Sequence, residues 1–589
     1  MEAQPSTAGV ANIILTLPDI KSQDARQVQA YTFKALELIT RWIERGEKNP
    51  NEPVCKWVDS AHLRQARAAA SAAASKQLQP NLNDIGVDDD AVFKFLEQTL
   101  QDSVNPWTRR FLDKLFTAPT TLSPALDMII GALNVTAAVS SASPALCLAE
   151  EESVEALARV LGWDESICDG LTMPGGSASN VLAVQTALGN IFPSFKNDGV
   201  TGVSADLQAK RRRGKAARPL LLTSAQSHYS YEKACLACGL GLSSVVKVPC
   251  DDAGRMNPLE LSRILDEALT NLDGKIPGAV AGYPFLIGTT SGTTILGAFD
   301  DIQAAIDEVS KRQAHGKIWV HVDGSWGGPA IFSERSRRFF KGIEQADSFT
   351  INPHKVLNVT QQCSFAMFRD GAALAANVTD AKYLFHGTGA SPPTREMLRR
   401  NPASKTMGCA RRPDAFKFYV TWLRSGTQGF GAHVDHGVDH ARRVVQMVRT
   451  IETLELAHSM PDVEDLFLNV NFRPYPSDET NKSLMQRLQE PAKTVDVDVD
   501  ALMDRLRSKA TLYVHECLAR EGRFLVDRAP LSGPYGSGYY SRLITHPNTS
   551  WSIFNAVVLE IDRLGRQFFD GLLGQDNKLL GRLLAEKDD

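Results

Sequence analysis

The stretch KIWVHVDGSWGG, residues 317–328, decides the fold. Its first half, KIWVHVD, is a short apolar run of strand length, and it stops at Asp323 before a glycine turn. Immediately upstream lies a helix-length segment, DDIQAAIDEVSKRQA (300–314), and before that a second apolar run, GAVAGYPFLIGTT (278–290). Strand, helix, strand at this spacing implies parallel strands joined by a crossover helix. The same rhythm continues outward. Apolar runs recur at PLLLTSA (219–225), SSVVKVP (243–249), SFTIN (348–352) and SFAMFRD (364–370), with another helix-length segment at PLELSRILDEALTNL (258–272). The expected core is therefore an α/β domain over 111–430, a mostly parallel sheet with helices on both faces. In such sheets ligands sit beyond the carboxyl ends of the strands. His228, Thr294, Asp323 and Lys355 all fall there.

The flanks read differently. Residues 1–110 are predicted to be a helical segment, with helical apolar spacing in AYTFKALELITRWIERG (30–46) and an acidic helix start in DDDAVFKFLEQTLQDS (88–103). An alanine-rich stretch at 64–84 reads as a surface helix or linker. Residues 431–589 begin helical and then mix strands with helices, as a smaller α+β domain would. The Lys-Arg run at 210–213 reads as a solvated loop.

Bulk composition excludes several classes. The chain has 589 residues, 43% apolar and 22% charged, with a net charge of −4, so no basic excess points to nucleic acid. The amino terminus lacks a secretory pattern, and no run is long enough to cross a bilayer. A cytoplasmic protein without nucleic-acid or membrane partners is the expectation. Nine cysteines without framework spacing read as reduced thiols, and Cys235 and Cys238, a CxxC in an apolar helical stretch, read as buried. His433, His436 and His440 have the spacing of one helix face. They are read as a solvated or interface face rather than a metal site.

Chemistry enters with DSFTINPHKVLNV (347–359). A strand that runs into Asn352, Pro353, His354 and Lys355 is badly continued, since proline removes a ladder donor and a charged amine suits no core. The turn presents an amine. In TMPGGSASNVLAVQTALGN (172–190), glycines and serines open an apolar helix, whose free amides suit a phosphate as well as an ordinary cap. His228, between a strand and a helix in LLLTSAQSHYSYEKA (220–234), suits a ring-stacking or a structural role. Asp323 suits a turn residue, or the partner of a protonated pyridine nitrogen beside a lysine and a phosphate.

Taken together, PGGSASN, TSAQSHYSYEKA, TTSGTTILGAFDDI, HVDGSWGG, KGIEQADSFTINPHK and the late SRLI before IDRLG resemble the group II decarboxylases that use pyridoxal 5'-phosphate (PLP), of the glutamate, cysteine sulfinate, aspartate and aromatic amino-acid type. The resemblance covers about residues 104–570. It implies the fold type I (aspartate aminotransferase-like) architecture, a homodimer, PLP, and a small amino-acid substrate that loses its carboxylate as CO2. By position, Lys355 matches the Schiff-base lysine, Asp323 the pyridine partner and His228 the stacking histidine. Ser177, Ala178 and Ser179 match the phosphate loop, and Asn352 and His354 the phosphate contacts before the lysine. Thr294 lies near the ring's polar edge, Ser325 is one of the small pair after Asp323, and Arg542 matches the arginine that holds a substrate carboxylate. Phe116 stands where glutamate-type relatives have a small polar residue, as in the cysteine sulfinate and aspartate branch. Asn134 and Thr136 lie where polar pocket residues are expected, and Lys114 either pairs with an acidic side chain or faces water. A short acidic substrate is the implied reading. One departure stands out: no tyrosine occurs between Tyr383 and Tyr419, where the family carries a proton-delivering tyrosine on a loop. That leaves an aldehyde-forming relative, or an aromatic amino-acid decarboxylase, as the alternative.

Overall fold

A computed structural model describes residues 25–56, 60–65, 88–210, 218–272, 276–379, 381, 383–384, 394–458, 464–495 and 498–574. The Lys-Arg run beyond 210 and most of the alanine-rich stretch lie outside these residues. The chain divides into two compact units, one of residues 1–110 with 521–524 and one of 111–520 with 525–589.

In the smaller unit, the helices Ala25–Lys48 and Asp89–Asp102 lie side by side. The Asp88 carboxylate caps the second helix by accepting from Ala91 N at 2.8 Å, and Tyr31 joins the two by donating to Asp89 at 2.8 Å. Val28, Phe33 and Leu36 remain exposed.

The larger unit holds twelve strands among the described residues: β1 (Phe111–Leu112), β2 (Asp169–Met173), β3 (Pro219–Ser224), β4 (Val245–Val248), β5 (Tyr283–Thr290), β6 (Trp319–Gly324), β7 (Ser348–Ile351), β8 (Ser364–Phe368), β9 (Leu454–Leu456), β10 (Asn469–Pro474), β11 (Leu525–Leu531) and β12 (Gly538–Ile544). Seven form one sheet in the order β2-β8-β7-β6-β5-β3-β4. The pairs among β7, β6, β5, β3 and β4 are parallel, and β8 runs antiparallel to both its neighbours. The expected mostly parallel sheet is present. β6 is buried along its whole length, as a central parallel strand covered on both faces must be.

Pro284 lies inside β5, where a missing donor should break a ladder. There the register with β3 slips, Leu220 facing Pro284 and Leu221 facing Leu286, and pairing with β6 begins only at Leu286. The far end of β5 is fastened by the buried Asp300 carboxylate, which accepts from Thr290 N at 2.7 Å and Met256 N at 2.6 Å.

Helices Ser230–Ala237, Pro258–Thr270 and Ile302–Ser310 connect β3 through β6. Asn257 and Asp301 cap the last two. The helix Gly176–Ile191 follows β2, and its Leu182 and Leu188 pack with Leu221, Phe285, Trp319 and Phe368. A second sheet runs β1-β11-β12-β10-β9, parallel at β1–β11 and antiparallel elsewhere. The helix Ala415–Thr450 crosses position 431 and is broken at Gly426, whose φ of 66° only glycine adopts without strain.

Candidate active site

The carboxyl ends of five strands of the large sheet meet at one edge. β2 leads into the Gly175–Gly176 turn, β3 toward His228, β5 toward Thr294, β6 ends at Asp323–Gly324, and β7 enters the Asn352–Lys355 turn.

Lys355 is held by its backbone, whose N–H donates to Asn352 O at 3.0 Å. Its Nζ has no hydrogen bond or ion pair among the described residues. Burial pulls its pKa from 10.5 to about 8, Arg542 pushes the same way, and Asp323 opposes both. Asp323 is buried and accepts from Ser325 N at 3.0 Å and Asn180 Nδ2 at 2.8 Å. Burial alone would raise its pKa. The hydrogen bonds from Ser325 and Asn180, with His228 beside it, hold it below the usual carboxylate range. His228 accepts from Ser230 N through Nδ1 at 3.2 Å, which leaves a neutral ring with its proton on Nε2, and burial lowers its pKa in the same sense.

The helix Gly176–Ile191 begins beside this group. Its N-cap is Gly175 at φ 100°, and no side chain caps it. Ala178 N and Ser179 N already donate to Gly175 O, which leaves the amides of Gly176 and Ser177 for an anion. A Cβ on Gly176 would stand 2.2 Å from Ser325 Oγ and 3.0 Å from Asn352 Nδ2, so the turn approaches both residues only as glycine. Ser179 is turned inward, and its hydroxyl lies 2.8 Å from Ser364 Oγ, which donates to Asn352 Oδ1 at 2.6 Å. The glycine-serine loop and the lysine turn are thus tied through buried serines. His354 Nδ1 lies 2.6 Å from Cys363 O.

On the second sheet, Arg542 of β12 faces Asp527 of β11 and pairs with its carboxylate. It also donates to Thr294 O at 2.9 Å and Asp113 O at 3.1 Å, while its Nε is buried without a partner. Thr294 thus enters the site through its carbonyl. Phe116 is half-buried, its ring 5.5 Å from that of Phe111. The segment that carries it runs from Asp113 at Arg542 to Thr120, whose N–H donates to Asn358 O at 2.7 Å, three residues past Lys355. Lys114 is exposed and also pairs with an acidic side chain, that of its neighbour Asp113 at 3.0 Å, so both of its readings are met at once. Asn134 is an exposed helix C-cap, and no contact joins it to Lys355 or Arg542; Thr136 bonds the backbone of Arg411 instead.

Sequence reasoning missed Asn180, His321, Ser364, Asp113 and Asp527. The first two lay inside quoted motifs, but only the register of helix and strand shows where they point. The three histidines of the long helix do not share one task. His433 Nε2 lies 2.9 Å from Asn358 Oδ1, whereas His436 and His440 meet each other at 3.1 Å. Among the described residues no three His, Cys, Asp or Glu side chains gather as a metal site. Burial raises the thiols of Cys235 and Cys238 to about 12 and about 11.

An unpartnered amine of lowered pKa, a buried carboxylate, a neutral histidine and an uncapped glycine-rich helix start fit PLP. They suit its aldehyde, its ring nitrogen, its ring face and its phosphate respectively. This fold with this site defines a fold type I PLP enzyme. Residues 73–474 match the pyridoxal-dependent decarboxylase conserved domain, and the chain belongs to that family. It is similar to acidic amino acid decarboxylase GADL1 of Mus musculus, at 30% identity over 92% of this chain and 87% of the relative. It is likewise similar to L-aspartate decarboxylase dtxS4 of Metarhizium robertsii, at 32% over 70% and 75%. A crystal structure of mouse CSAD superposes with a TM-score of 0.75 at 26% identity, over 92% of this chain and 99% of that one. The protein is a PLP-dependent carboxy-lyase.

Proposed function

We propose that the enzyme decarboxylates a short acidic L-amino acid, aspartate or cysteine sulfinate. Arg542 carries this reading. It is a guanidinium fixed by Asp527, Thr294 O and Asp113 O, near enough to Lys355 to lower its pKa, with one buried donor unused. Such a group suits a substrate carboxylate. The relatives named for acidic amino acids, aspartate and cysteine sulfinate support the same class.

In this reading Lys355 binds the cofactor's aldehyde, Asp323 faces the ring nitrogen, and His228 covers the ring. Ser177 and Ala178, with Asn352 and His354, surround the phosphate. Ser179 and Ser325 hold that loop in place, and Thr294 holds Arg542. The bound cofactor supplies an electron sink for the pair released when the carboxylate bond breaks. Asp323 keeps a negative charge at the ring nitrogen. Arg542 orients the substrate, and a proton returns to the α-carbon after CO2 departs.

Phe116 sets the length of the acidic side chain in this account. One methylene in a tight pocket is worth about 10- to 200-fold in discrimination, so aspartate or cysteine sulfinate should exceed glutamate in kcat/KM by about one to two orders of magnitude. Steady-state kinetics of the purified enzyme, loaded with PLP and given a panel of amino acids plus cysteine sulfinate, tests the substrate class. Phe116→Ser should narrow the gap to glutamate. Equal loss on aspartate and glutamate would mean that Phe116 merely packs, and preference for an aromatic amino acid would sink the acidic reading.

A second reading rests on the missing tyrosine between Tyr383 and Tyr419. Without a proton donor there, reaction with oxygen yields an aldehyde instead of the amine. Oxygen uptake with peroxide release during turnover separates the two.

We further propose a cytoplasmic homodimer with a cofactor domain at 111–430 and a small domain at 431–589. The seven-stranded sheet lies wholly within the first span and four of the five strands of the other sheet within the second. The exposed Val28, Phe33 and Leu36 support a second copy as their cover. So does an apolar cleft of about 720 Å3, lined by Met173, Pro174, Val181, Leu182 and Met407, that reaches Ala178 of the phosphate loop. No helix among the described residues is long and apolar enough to cross a membrane. Sedimentation should give a dimer mass, and an active monomer at low concentration would overturn the assembly.

A further inference from the structure

Behind Asp323 lies a buried chain of polar groups that the reaction itself does not use. Asn180 Nδ2 donates to Asp323 Oδ2 and to Ser230 Oγ, each at 2.8 Å. Asn180 Oδ1 lies 3.1 Å from His321 Nε2. His321 Nδ1 lies 2.8 Å from Ser348 Oγ, and Ser348 Oγ accepts from Trp319 Nε1 at 2.8 Å. Asn180, His321, Ser348 and Trp319 are each at most 2% exposed.

The two ends fix the direction of every bond. An indole N–H only donates, and a carboxylate only accepts. Ser348, having accepted from Trp319, has its own hydrogen left for His321 Nδ1. Both donors of the Asn180 amide are spent on Asp323 and Ser230, so its oxygen must accept, and His321 Nε2 must carry the proton. The imidazole is neutral, and it stands nearly perpendicular to the buried ring of Tyr231, centroids 6.2 Å apart. Burial lowers its pKa to about 4. Aligned donors in a dry interior polarise one another, which strengthens the last bond in the row.

We propose that Trp319, Ser348, His321 and Asn180 form a one-directional hydrogen-bond relay that fixes Asp323 in place and keeps it ionised, so that the cofactor's ring nitrogen stays protonated. This rests on the reading of Asp323 as the ring-nitrogen partner. His321 is then a positioning residue two places before the carboxylate on the same strand, with its side chain on the same face of the sheet. The relay also explains why an asparagine, rather than any good helix former, occupies the buried fifth residue of the Gly176–Ile191 helix.

The test uses nitrogen NMR in two states of the full-length protein. In the cofactor-free enzyme with 15N-labelled histidine, the His321 signals, assigned by their loss in His321→Gln, should show a protonated Nε2 and a bare Nδ1 throughout the pH range of stability. A proton on Nδ1 overturns the relay. In the enzyme loaded with ring-15N PLP, the wild-type ring nitrogen should be protonated. In His321→Leu and in Ser348→Ala it should shift toward the unprotonated position, while His321→Gln, whose amide still donates to Asn180, should keep the wild-type signal. Ser348→Ala should lower kcat about tenfold, the scale of one hydrogen bond feeding a charged group, with KM unchanged. An unprotonated wild-type ring would overturn the Asp323 reading and the relay with it. A ring that stays protonated in Ser348→Ala, the smaller change and the one expected to fold, would overturn the relay alone.

Discussion

Lys355→Ala is expected to leave a folded protein without turnover, its kcat lower on the order of 10⁴-fold or more, beyond the reach of a single lost acid–base group. The reason is positional. Among the described residues of the same unit, the side chains of Lys405 and Lys417 are fully buried, and both are engaged. Lys417 donates to Gln362 O at 3.1 Å and pairs with Asp414 at 2.8 Å, and Lys405 pairs with Asp169 at 2.8 Å. Neither amine is free to substitute. Among the described lysines, Lys355 alone has a burial-lowered pKa and no partner, so removing it breaks no ion pair and should not unfold the domain. The sign of the pH effect follows. A charged ammonium cannot attack an aldehyde, and burial disfavours that charged form. Cofactor capture by the cofactor-free enzyme should therefore accelerate as pH rises toward about 8 and then level, whereas an ordinary lysine would keep gaining up to 10.5. Stopped-flow absorbance measures the capture rate, and borohydride reduction followed by mass spectrometry locates the attached cofactor. A reducible adduct in Lys355→Ala at the wild-type rate would refute the assignment.

The strands of the large sheet were legible in the sequence because buried parallel strands are short, uniformly apolar runs between turn signals. The six runs read from the sequence correspond to β3 through β8. DGLTM of β2 was not read as a strand. It is short and opens on Asp169 and Gly170, and that buried aspartate finds its counter-charge only in the sequence-distant Lys405 among the described residues. The reversal of β8 was equally invisible, since composition carries no direction. The second sheet was sensed only as a mixture, because it pairs Phe111–Leu112 with Leu525–Val526 across most of the chain.

At the site, the residues set by turn chemistry were legible: the lysine after Asn-Pro-His, the aspartate before glycine, the glycines opening a helix. What was not legible depends on register. Asp527 meets Arg542 only because β11 and β12 align those two positions, and Asn180 meets Asp323 only because the helix start faces the end of β6. Ser179, one residue from Ala178, turns to the core because successive helix positions point about 100° apart.

Asp323→Asn should bind the cofactor and still lose about 10³-fold in kcat, about 4 kcal/mol, the upper part of the range for removing one preorganised electrostatic partner. Cofactor binding survives because the lysine, the phosphate loop and His228 are untouched. Activity falls because a neutral amide cannot favour a protonated ring nitrogen, and without that charge the ring accepts electrons poorly. The change should also weaken the fold. The carboxylate accepts on both oxygens, from Ser325 N and from Asn180 Nδ2, and an asparagine turns one oxygen into a donor facing another donor. One buried clash of this kind costs about 1–3 kcal/mol. Thermal denaturation should therefore show a lowered Tm in the cofactor-free variant, and kinetics at saturating cofactor should show the rate loss separately. The two effects discriminate between roles. If Asp323 were only a turn residue, stability would fall while the remaining folded enzyme turned over within about threefold of wild type, less than about 1 kcal/mol in the barrier. If it is the ring-nitrogen partner, the rate loss persists at temperatures where the variant is fully folded.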